Sequence, residues 1–515
     1  MNWRSLSRAA LTALLIGSAG LFVTGSAQDS GTTIVARLQY ARAGGIYDPA
    51  YWRYTSDWFV YPNVFNWLVR WVPGSAGREL EPDLAESWEV SEDGRTYTFH
   101  LRQGVQFHGG YGELTADDVV FSLQRQMDDP EASFASDLAN VTELTAVDDH
   151  TVRLTLAEPD ASFLATVIAY RPGLIVSRTA VEERGEAFAT QPIGTGPFEF
   201  VELTEAGDVV LTAFDDYFRG RPEVDTLIFR HIGEESVALQ ALRADEFQII
   251  QTRGNPEVAA ALAEDPEIET SRTVMTDSVR HIAFSPNFEP TQDVLVRQAL
   301  AHAIDKELID QALVGMELPT DVVYADDAID GAPTYPYDPE RARELLAEAG
   351  YPDGFPVTIM FQNRVPESIL AEIVAACWQD VGLQVTLEGM EATAAFDRRN
   401  SFDFDVTVTS VGRPGDPNLL FTDLFHSSSE PPGGSNYFGY DGVDDLIEQA
   451  RGVSDAATRA ELYHQAHAQI MADLPIIPLS LQTFVGAWRD PVESLVFGAN
   501  NNFWGETIRL TGGDE

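Results

Sequence analysis

Hydrophobic and polar residues alternate on both sides of an Asp-Gly pair near residue 90. Trp88 and Val90 precede Asp93-Gly94, and the apolar positions alternate again up to Leu101. A period of two predicts β-strands, and an Asp-Gly pair between two such runs is typical of a tight turn. We therefore predict a β-hairpin here.

The pattern changes after this hairpin. Val105 and Phe107 predict a further short strand. Thr115 then stands three residues before Asp118, and apolar residues with helical spacing follow. A threonine followed three positions later by an acidic residue is the signature of a capping box, which satisfies free N–H groups at a helix start. We therefore predict that a helix begins at Thr115.

Farther along the chain, segments with a strand-like pattern alternate with segments that have a helix-like pattern. Alternating apolar residues predict strands within the segments 32–40, 152–156, 279–284, 357–361, 383–387 and 402–408. Helical spacing predicts a helix that begins at Asp338 and one more over 369–381. Strands that alternate with helices favour an α/β fold with parallel strand pairs in the second half of the chain.

Several short motifs resemble those of one protein family. They are Leu80-x-Pro82-x-Leu84-Ala85-x-Ser87-Trp88, Leu101-Arg102-x-Gly104-Val105-x-Phe107-His108, Gly194-Thr195-Gly196-Pro197-Phe198 and Val296-Arg297-x-Ala299-Leu300. In combination they resemble the family 5 extracellular solute-binding proteins of ABC importers. The resemblance implies an α/β, two-lobed periplasmic-binding-protein fold (type II-like), with an additional small α+β subdomain in the first lobe.

The same resemblance implies a division of the chain into segments. We expect a signal peptide (1–27), the first part of lobe I (28–60), a small subdomain of lobe I (61–190), the second part of lobe I (191–284), lobe II (285–485) and a C-terminal return to lobe I (486–515). The family crosses between its lobes near Ser285. A length of 515 residues is enough for about three domain-sized units.

The first residues have the pattern of a secretion signal. Arg4 and Arg8 precede an apolar run over 9–23, and Gly25-Ser26-Ala27 has the small-x-small form of a cleavage site. The run is short for a membrane span of ~20 residues, which is the alternative reading. The only cysteine is Cys377, so no lipid-anchor cysteine follows the cleavage site and no intrachain disulfide is possible. We expect a periplasmic protein that is not a lipoprotein.

The charge of the chain is extreme. It has 33 basic and 81 acidic residues, a net charge of −48, and removal of Arg4 and Arg8 with the signal leaves about −50. Nucleic acids and anionic lipid surfaces are therefore excluded as partners. Lys306 is the only lysine. Acid excess with so little lysine resembles proteins of salt-adapted organisms, although base composition alone could explain the lysine shortage.

No catalytic motif stands out. The chain has no His-Glu-x-x-His, no Gly-x-Ser-x-Gly and no phosphate-binding loop with its lysine. His464 and His467 lie three apart on a helix over 459–471 that resembles one of the family's closing helices, where core or solvated histidines are more common than a metal pair. We expect no enzyme activity, no cofactor and no metal.

The resemblance implies a function. We expect the periplasmic substrate-binding component of an ABC importer, a monomer that captures a short peptide or similar small solute and delivers it to the membrane permease. An oligosaccharide ligand on the same fold is an alternative, and a secreted hydrolase is the competing class because 81 acidic residues bring some carboxylates close by chance.

Candidate ligand-binding residues follow from loops at strand ends, where α/β proteins bind ligands. Arg42 and Tyr47 follow the first predicted strand, and Tyr47 begins a motif that matches the family's Leu-Asp-Pro. Asn436 and Tyr437 lie in a segment that resembles the family's Asn-x-x-Gly-Tyr loop.

The loop after the strand that ends near residue 411 contains both an arginine and an acid. Relatives that bind peptides carry an acid in this loop, whereas Arg413 stands there in this chain. A guanidinium favours a ligand carboxylate through a bidentate pair. Asp416 could bind an ammonium group or brace the loop. The alternative is an internal Arg413–Asp416 ion pair.

Overall fold

A computed structural model of the chain describes residues 31–39, 47–51, 57–75, 79–313, 316–324, 332–413, 415–498 and 503–512. The predicted signal peptide over residues 1–27 and the predicted ligand-binding residue Arg42 lie outside these ranges.

The described strands are numbered in chain order. They are β1 (Thr33–Leu38), β2 (Val69–Trp71), β3 (Leu80–Pro82), β4 (Ala85–Val90), β5 (Thr96–Leu101), β6 (Val141–Asp148), β7 (Thr151–Leu156), β8 (Phe198–Leu203), β9 (Val209–Ala213), β10 (Thr226–His231), β11 (Ile249–Thr252), β12 (Glu269–Phe284), β13 (Glu317–Pro319), β14 (Pro356–Gln362), β15 (Gln384–Met390), β16 (Val406–Gly412), β17 (Ile476–Trp488), β18 (Val492–Ser494) and β19 (Arg509–Leu510).

The described α-helices are numbered in the same way. They are α1 (Asp57–Val64), α2 (Ala116–Asp128), α3 (Arg178–Arg184), α4 (Glu235–Arg243), α5 (Pro256–Ala263), α6 (Val294–His302), α7 (Lys306–Leu313), α8 (Pro339–Glu348), α9 (Glu367–Asp380), α10 (Ala392–Asn400), α11 (Pro417–Phe425), α12 (Asp444–Gly452) and α13 (Ala456–Asp473). In the described ranges, none of them combines the length and apolar character that crossing a membrane requires.

One large mixed sheet runs through the molecule. Its strand order is β15-β14-β16-β12-β17-β11-β1-β10-β9-β8, and β13 pairs with β17. β14 is parallel to both β15 and β16, and β1 is parallel to both β10 and β11. The parallel pairs predicted from the strand and helix patterns in the second half of the chain are confirmed.

Two large clusters of buried apolar side chains divide this sheet into two lobes. The lobe I cluster includes Ile34, Phe229 and Phe503, and the lobe II cluster includes Ile359 and Ile470. Each lobe therefore has a core of its own, as the two-lobed fold requires.

Strands β12 and β17 connect the lobes. On β12, Met275 belongs to the lobe I cluster and Val279 to the lobe II cluster, and the register with β17 shifts between Val274 and Val279. On β17, Leu481 belongs to the lobe II cluster and Phe484 to the lobe I cluster. The structure thus places a change of core within β12, whereas we predicted the crossing near Ser285, and the bounds of the lobes stay predictions. The reason is that β12 is one long strand that enters both cores.

A separate antiparallel sheet, β4-β5-β7-β6, packs beside lobe I. The predicted hairpin is confirmed as β4 and β5, with Gly94 at a φ of 69° in the turn. The predicted capping box at the start of α2 is confirmed, since the Thr115 backbone N–H donates to Asp118 Oδ2 at 3.0 Å. The side chains of this sheet join the lobe I cluster, and the finer domain boundaries stay predictions.

Two predicted strands are wrong in detail. Val105 to Phe107 forms only an isolated bridge, between Gln106 and Glu113. The strand predicted from Phe402 begins at Val406, because Phe402 takes a left-handed φ of 55° in the turn that follows α10.

Candidate functional site

A cavity of about 610 Å³ lies between the two lobes. Ligand sites for small molecules typically measure ~300–1,000 Å³. Its lining comes from loops after β1, β10 and β11 in lobe I together with Trp58 and Arg171, from the loop after β14 and the end of β16 in lobe II, and from the two connecting strands. These loops lie at the carboxyl ends of the strands, where α/β sheets bind their ligands. We name this space the main cavity.

A buried ion-pair network forms one wall of the main cavity. The Arg280 Nε donates to Glu317 Oε1 at 2.6 Å and its Nη1 donates to Glu367 Oε1 at 2.8 Å. The Ser480 hydroxyl donates to the other Glu317 oxygen at 2.7 Å. Burial by itself lowers the pKa of Arg280, but the two carboxylates raise it above its ordinary value. The network therefore ties β12, β13, β17 and α9 together.

Two further arginines of the main cavity keep free donors, one on each lobe. Among the described residues, the guanidinium of Arg364, in lobe II, contacts Glu367 Oε1 alone, at 2.7 Å from its Nη2, and the side chain is 55% exposed. Arg253, in lobe I, donates from its Nη2 to the Gln482 amide oxygen at 3.1 Å. Within the described ranges no carboxylate makes a salt bridge with the Arg253 guanidinium. Positive charge therefore stays available on both walls.

Several buried polar atoms of the main cavity have no hydrogen-bond partner among the described residues. They are Trp58 Nε1, Ser278 Oγ and Glu367 Oε2. Burial raises the pKa of Glu367, but Arg280 and Arg364 outweigh burial, so the pKa lies below its ordinary value and the group is ionised. A buried polar group without a partner costs ~1–3 kcal/mol. Such groups point to a ligand that supplies the missing partners.

The lobes contact each other beside the main cavity. A Cβ atom on Gly254 of lobe I would lie 2.9 Å from the Val365 carbonyl oxygen of lobe II. Real Cβ atoms do not approach a backbone oxygen so closely, so only glycine lets these two loops of lobe I and lobe II come this near.

The structure places Arg413 and Asp416 with different partners. Arg413 Nη2 lies 2.8 Å from Asp423 Oδ2. The two groups form an ion pair, but their angles do not suit a hydrogen bond. Asp416 caps α11 through the Asn418 N–H at 2.8 Å and accepts two N–H groups of Arg459. The internal Arg413–Asp416 ion pair is therefore wrong, because the helix cap turns Asp416 toward α13. Arg413 is 44% exposed, and its neighbour Gly412 lines the main cavity.

Three other predicted residues lie in packed surroundings. The Asn436 amide donates to the carbonyls of His426 and Tyr440 and accepts the Tyr440 N–H at 2.9 Å. The ring of Tyr437 packs edge-on against Phe404, and the fully buried ring of Tyr47 lies 4.8 Å from that of Phe200. The described lining of the main cavity includes none of the three, and their ligand role stays a prediction.

Sequence reasoning missed Arg253 and Arg364. A signal was present for Arg364, because it lies in the loop after the strand predicted over 357–361, whereas no strand was predicted before Arg253. The strand-end rule that selected Arg413 applies equally to the loop after β14. Which loops share one cavity depends on strand order, which local patterns do not contain.

Sequence comparison finds related proteins. The profile of a family described as “Bacterial extracellular solute-binding proteins, family 5 Middle” matches residues 79–432. The chain is 32% identical to Heme-binding protein A of Haemophilus influenzae over 462 residues, 81% of each protein. It is 33% identical to the dipeptide-binding protein of Escherichia coli over 473 residues, 84% of this chain and 86% of the relative.

Solved structures share the fold over both lobes. HbpA2 from Haemophilus parasuis superposes with a TM-score of 0.82 at 30% identity, over 93% of this chain and 99% of the other. The periplasmic binding protein DppA from Helicobacter pylori, in complex with the peptide STSA, superposes with a TM-score of 0.75 at 27% identity, over 93% and 98%.

Proposed function

This chain belongs to the family 5 bacterial extracellular solute-binding proteins, and on that premise we propose that it is the substrate-binding component of an ABC importer. Members of this family bind solutes and are not enzymes, so the chain is a binding protein. In our proposal it works in the periplasm as a monomer, captures a short peptide or similar small solute between its lobes, and delivers it to the membrane permease.

The observation that carries this proposal is the set of unpartnered polar groups in the main cavity. Arg253 and Arg364 offer N–H groups to a carboxylate from opposite lobes, and a planar guanidinium suits a carboxylate in two-point contact. Glu367 Oε2 is buried and unpartnered, and it can accept from an ammonium group. A zwitterion such as a short peptide carries both a carboxylate for the two arginines and an ammonium group for Glu367. The likeness to a dipeptide-binding protein supports this ligand class.

Ligand capture follows from the two-lobed architecture. β12 and β17 connect the lobes and contain the register shift at which they can bend. A carboxylate that contacts both Arg253 and Arg364 favours the closed arrangement, because only closure brings both guanidinium groups to it. Hinge closure of this kind is a common response to ligand, and the closed form is what the permease would receive.

Calorimetry with a panel of di- and tripeptides tests the proposal. We expect Arg364→Ala to weaken peptide binding at least ~10-fold, which corresponds to ~1.4 kcal/mol. Arg364→Lys should also weaken it, because a point charge does not reproduce the planar fork.

Arg413→Ala is the matched control, since Arg413 pairs with Asp423 and the described lining of the main cavity omits it. We expect its affinity to stay within about twofold of the unmodified protein. Equal losses in both variants would support the ligand role that the sequence predicts for Arg413. Binding by no peptide of the panel would contradict the proposal, and conversion of many equivalents of peptide would indicate a hydrolase.

A further inference from the structure

A second cavity, of about 480 Å³, also lies between the lobes. We name it the side chamber. On the lobe I side it is lined by Trp71, Leu80, Ala161, Leu164 and Ala165, and on the lobe II side by Tyr324, Gly415, Asp416, Pro417, Ala456, Arg459, Ala460, Tyr463 and His464. Most of these side chains are aromatic or aliphatic.

The charged groups of the side chamber satisfy each other. Arg459 donates to both oxygens of Asp416, one of them at 2.7 Å. The Tyr463 hydroxyl lies within reach of the same guanidinium and of the Asn418 amide. Among the described lining residues, His464 Nε2 is buried without a hydrogen-bond partner. Among the described residues, the side chamber therefore offers apolar walls and no unpaired charge.

The side chamber is next to the main cavity. Gly412 lines the main cavity, and Gly415 lines the side chamber on the same loop. Three residues span at most ~11 Å when extended. A short peptide has residue spacings of ~3.5 Å, so one ligand can place its charged ends in the main cavity and a side chain in the side chamber.

Hydrogen bonds between the lobes join the two walls of the side chamber. The Ala161 N–H donates to the Arg451 carbonyl at 2.8 Å. The Asn418 amide donates to the Ser162 hydroxyl at 3.3 Å, and both side chains are buried. The side chamber is thus complete only when the lobes are together.

From these observations we propose that the side chamber is a specificity subsite for an aromatic side chain of the ligand. An aromatic ring buries a large apolar area and packs well against other rings, here those of Trp71, Tyr324 and Tyr463. A charged side chain would find no free counter-charge and would lose its hydration. This inference rests on the proposed peptide-binding function.

Calorimetry with Ala-Ala, Ala-Phe, Phe-Ala, Ala-Tyr and Tyr-Ala tests the subsite. We expect at least one aromatic peptide to bind ~10-fold or more tightly than Ala-Ala. Ala460→Phe fills the side chamber and should abolish the aromatic preference while Ala-Ala binds as before.

Ala457→Phe is the matched control, because Ala457 is exposed on the same helix and lies outside the described lining. It should keep the aromatic preference, and a thermal melt of each variant shows that it is folded. Peptides that bind without aromatic preference, or a preference that survives in Ala460→Phe, would overturn the subsite and leave the peptide-binding function standing. Binding by none of the five peptides would overturn both.

Discussion

Burial sets the protonation state of three histidines in the two lobes. Removal from water lowers the pKa of His108, His281 and His467 from 6.5 to about 4. Between these values the unfolded chain binds more protons than the folded protein, so the free energy of unfolding falls as the pH drops from 6.5 toward 4. Above pH 6.5 both states are neutral and the effect disappears. Each histidine accounts for on the order of 3 kcal/mol across this window.

We expect His281→Leu to make the protein less sensitive to acid. His281 is fully buried, and its ring contacts the Val279 carbonyl at 3.2 Å through Nδ1. Without it, melting temperatures measured between pH 7 and pH 4.5 should fall less steeply. The control is Ile282→Leu, which changes a buried apolar side chain next to His281 and should keep the original slope. Identical slopes for all three proteins would show that His281 does not titrate on unfolding.

At the scale of elements, the sequence correctly predicted the turns and helix caps that are formed by residues close together in the chain. The Asp93-Gly94 hairpin and the capping box at Thr115 involve residues a few positions apart, and both are confirmed. The crossing strand β12 and the partners of Arg413 depend on contacts between distant segments. The same holds for the main cavity, because β1 pairs with β10 far along the chain. Pairing between distant strands does not change the periodicity of either strand. The sequence therefore indicated which loops follow strands, but not which of those loops line the same cavity.

We expect Gly254→Val to act as a wedge between the lobes. Its side chain would begin 2.9 Å from the Val365 carbonyl oxygen and 3.2 Å from Pro366, so the two loops cannot approach as they do here. Peptide affinity should fall at least ~10-fold, while the melting temperature without peptide changes little. The control is Gly452→Val, since a Cβ at Gly452 meets nothing within 4 Å. Unchanged affinity in Gly254→Val would mean that binding does not need this contact.

At the scale of the whole molecule, charge repulsion opposes the folded state. A net charge of −48 is spread over 515 residues with a single lysine, Lys306. The Debye length shortens from ~8 Å at physiological ionic strength to ~3 Å at 1 M, so salt weakens repulsion between surface carboxylates. We expect the melting temperature to rise with sodium chloride through the molar range, and less with sucrose at equal osmolality. A flat or falling curve would leave base composition as the better account of the acid excess.

The central claim is that the lobes close on a small ligand, and the distance between them tests it most directly. Nitroxide labels fit at Val201→Cys in lobe I and Phe396→Cys in lobe II, because both residues are about half exposed, with Cys377→Ser removing the native thiol. Pulsed electron resonance should show that the tightest-binding peptide of the panel shifts the distances to one shorter, narrower population. The Gly254→Val background should not show this shift. Distances that stay the same when calorimetry shows the peptide bound would contradict the account.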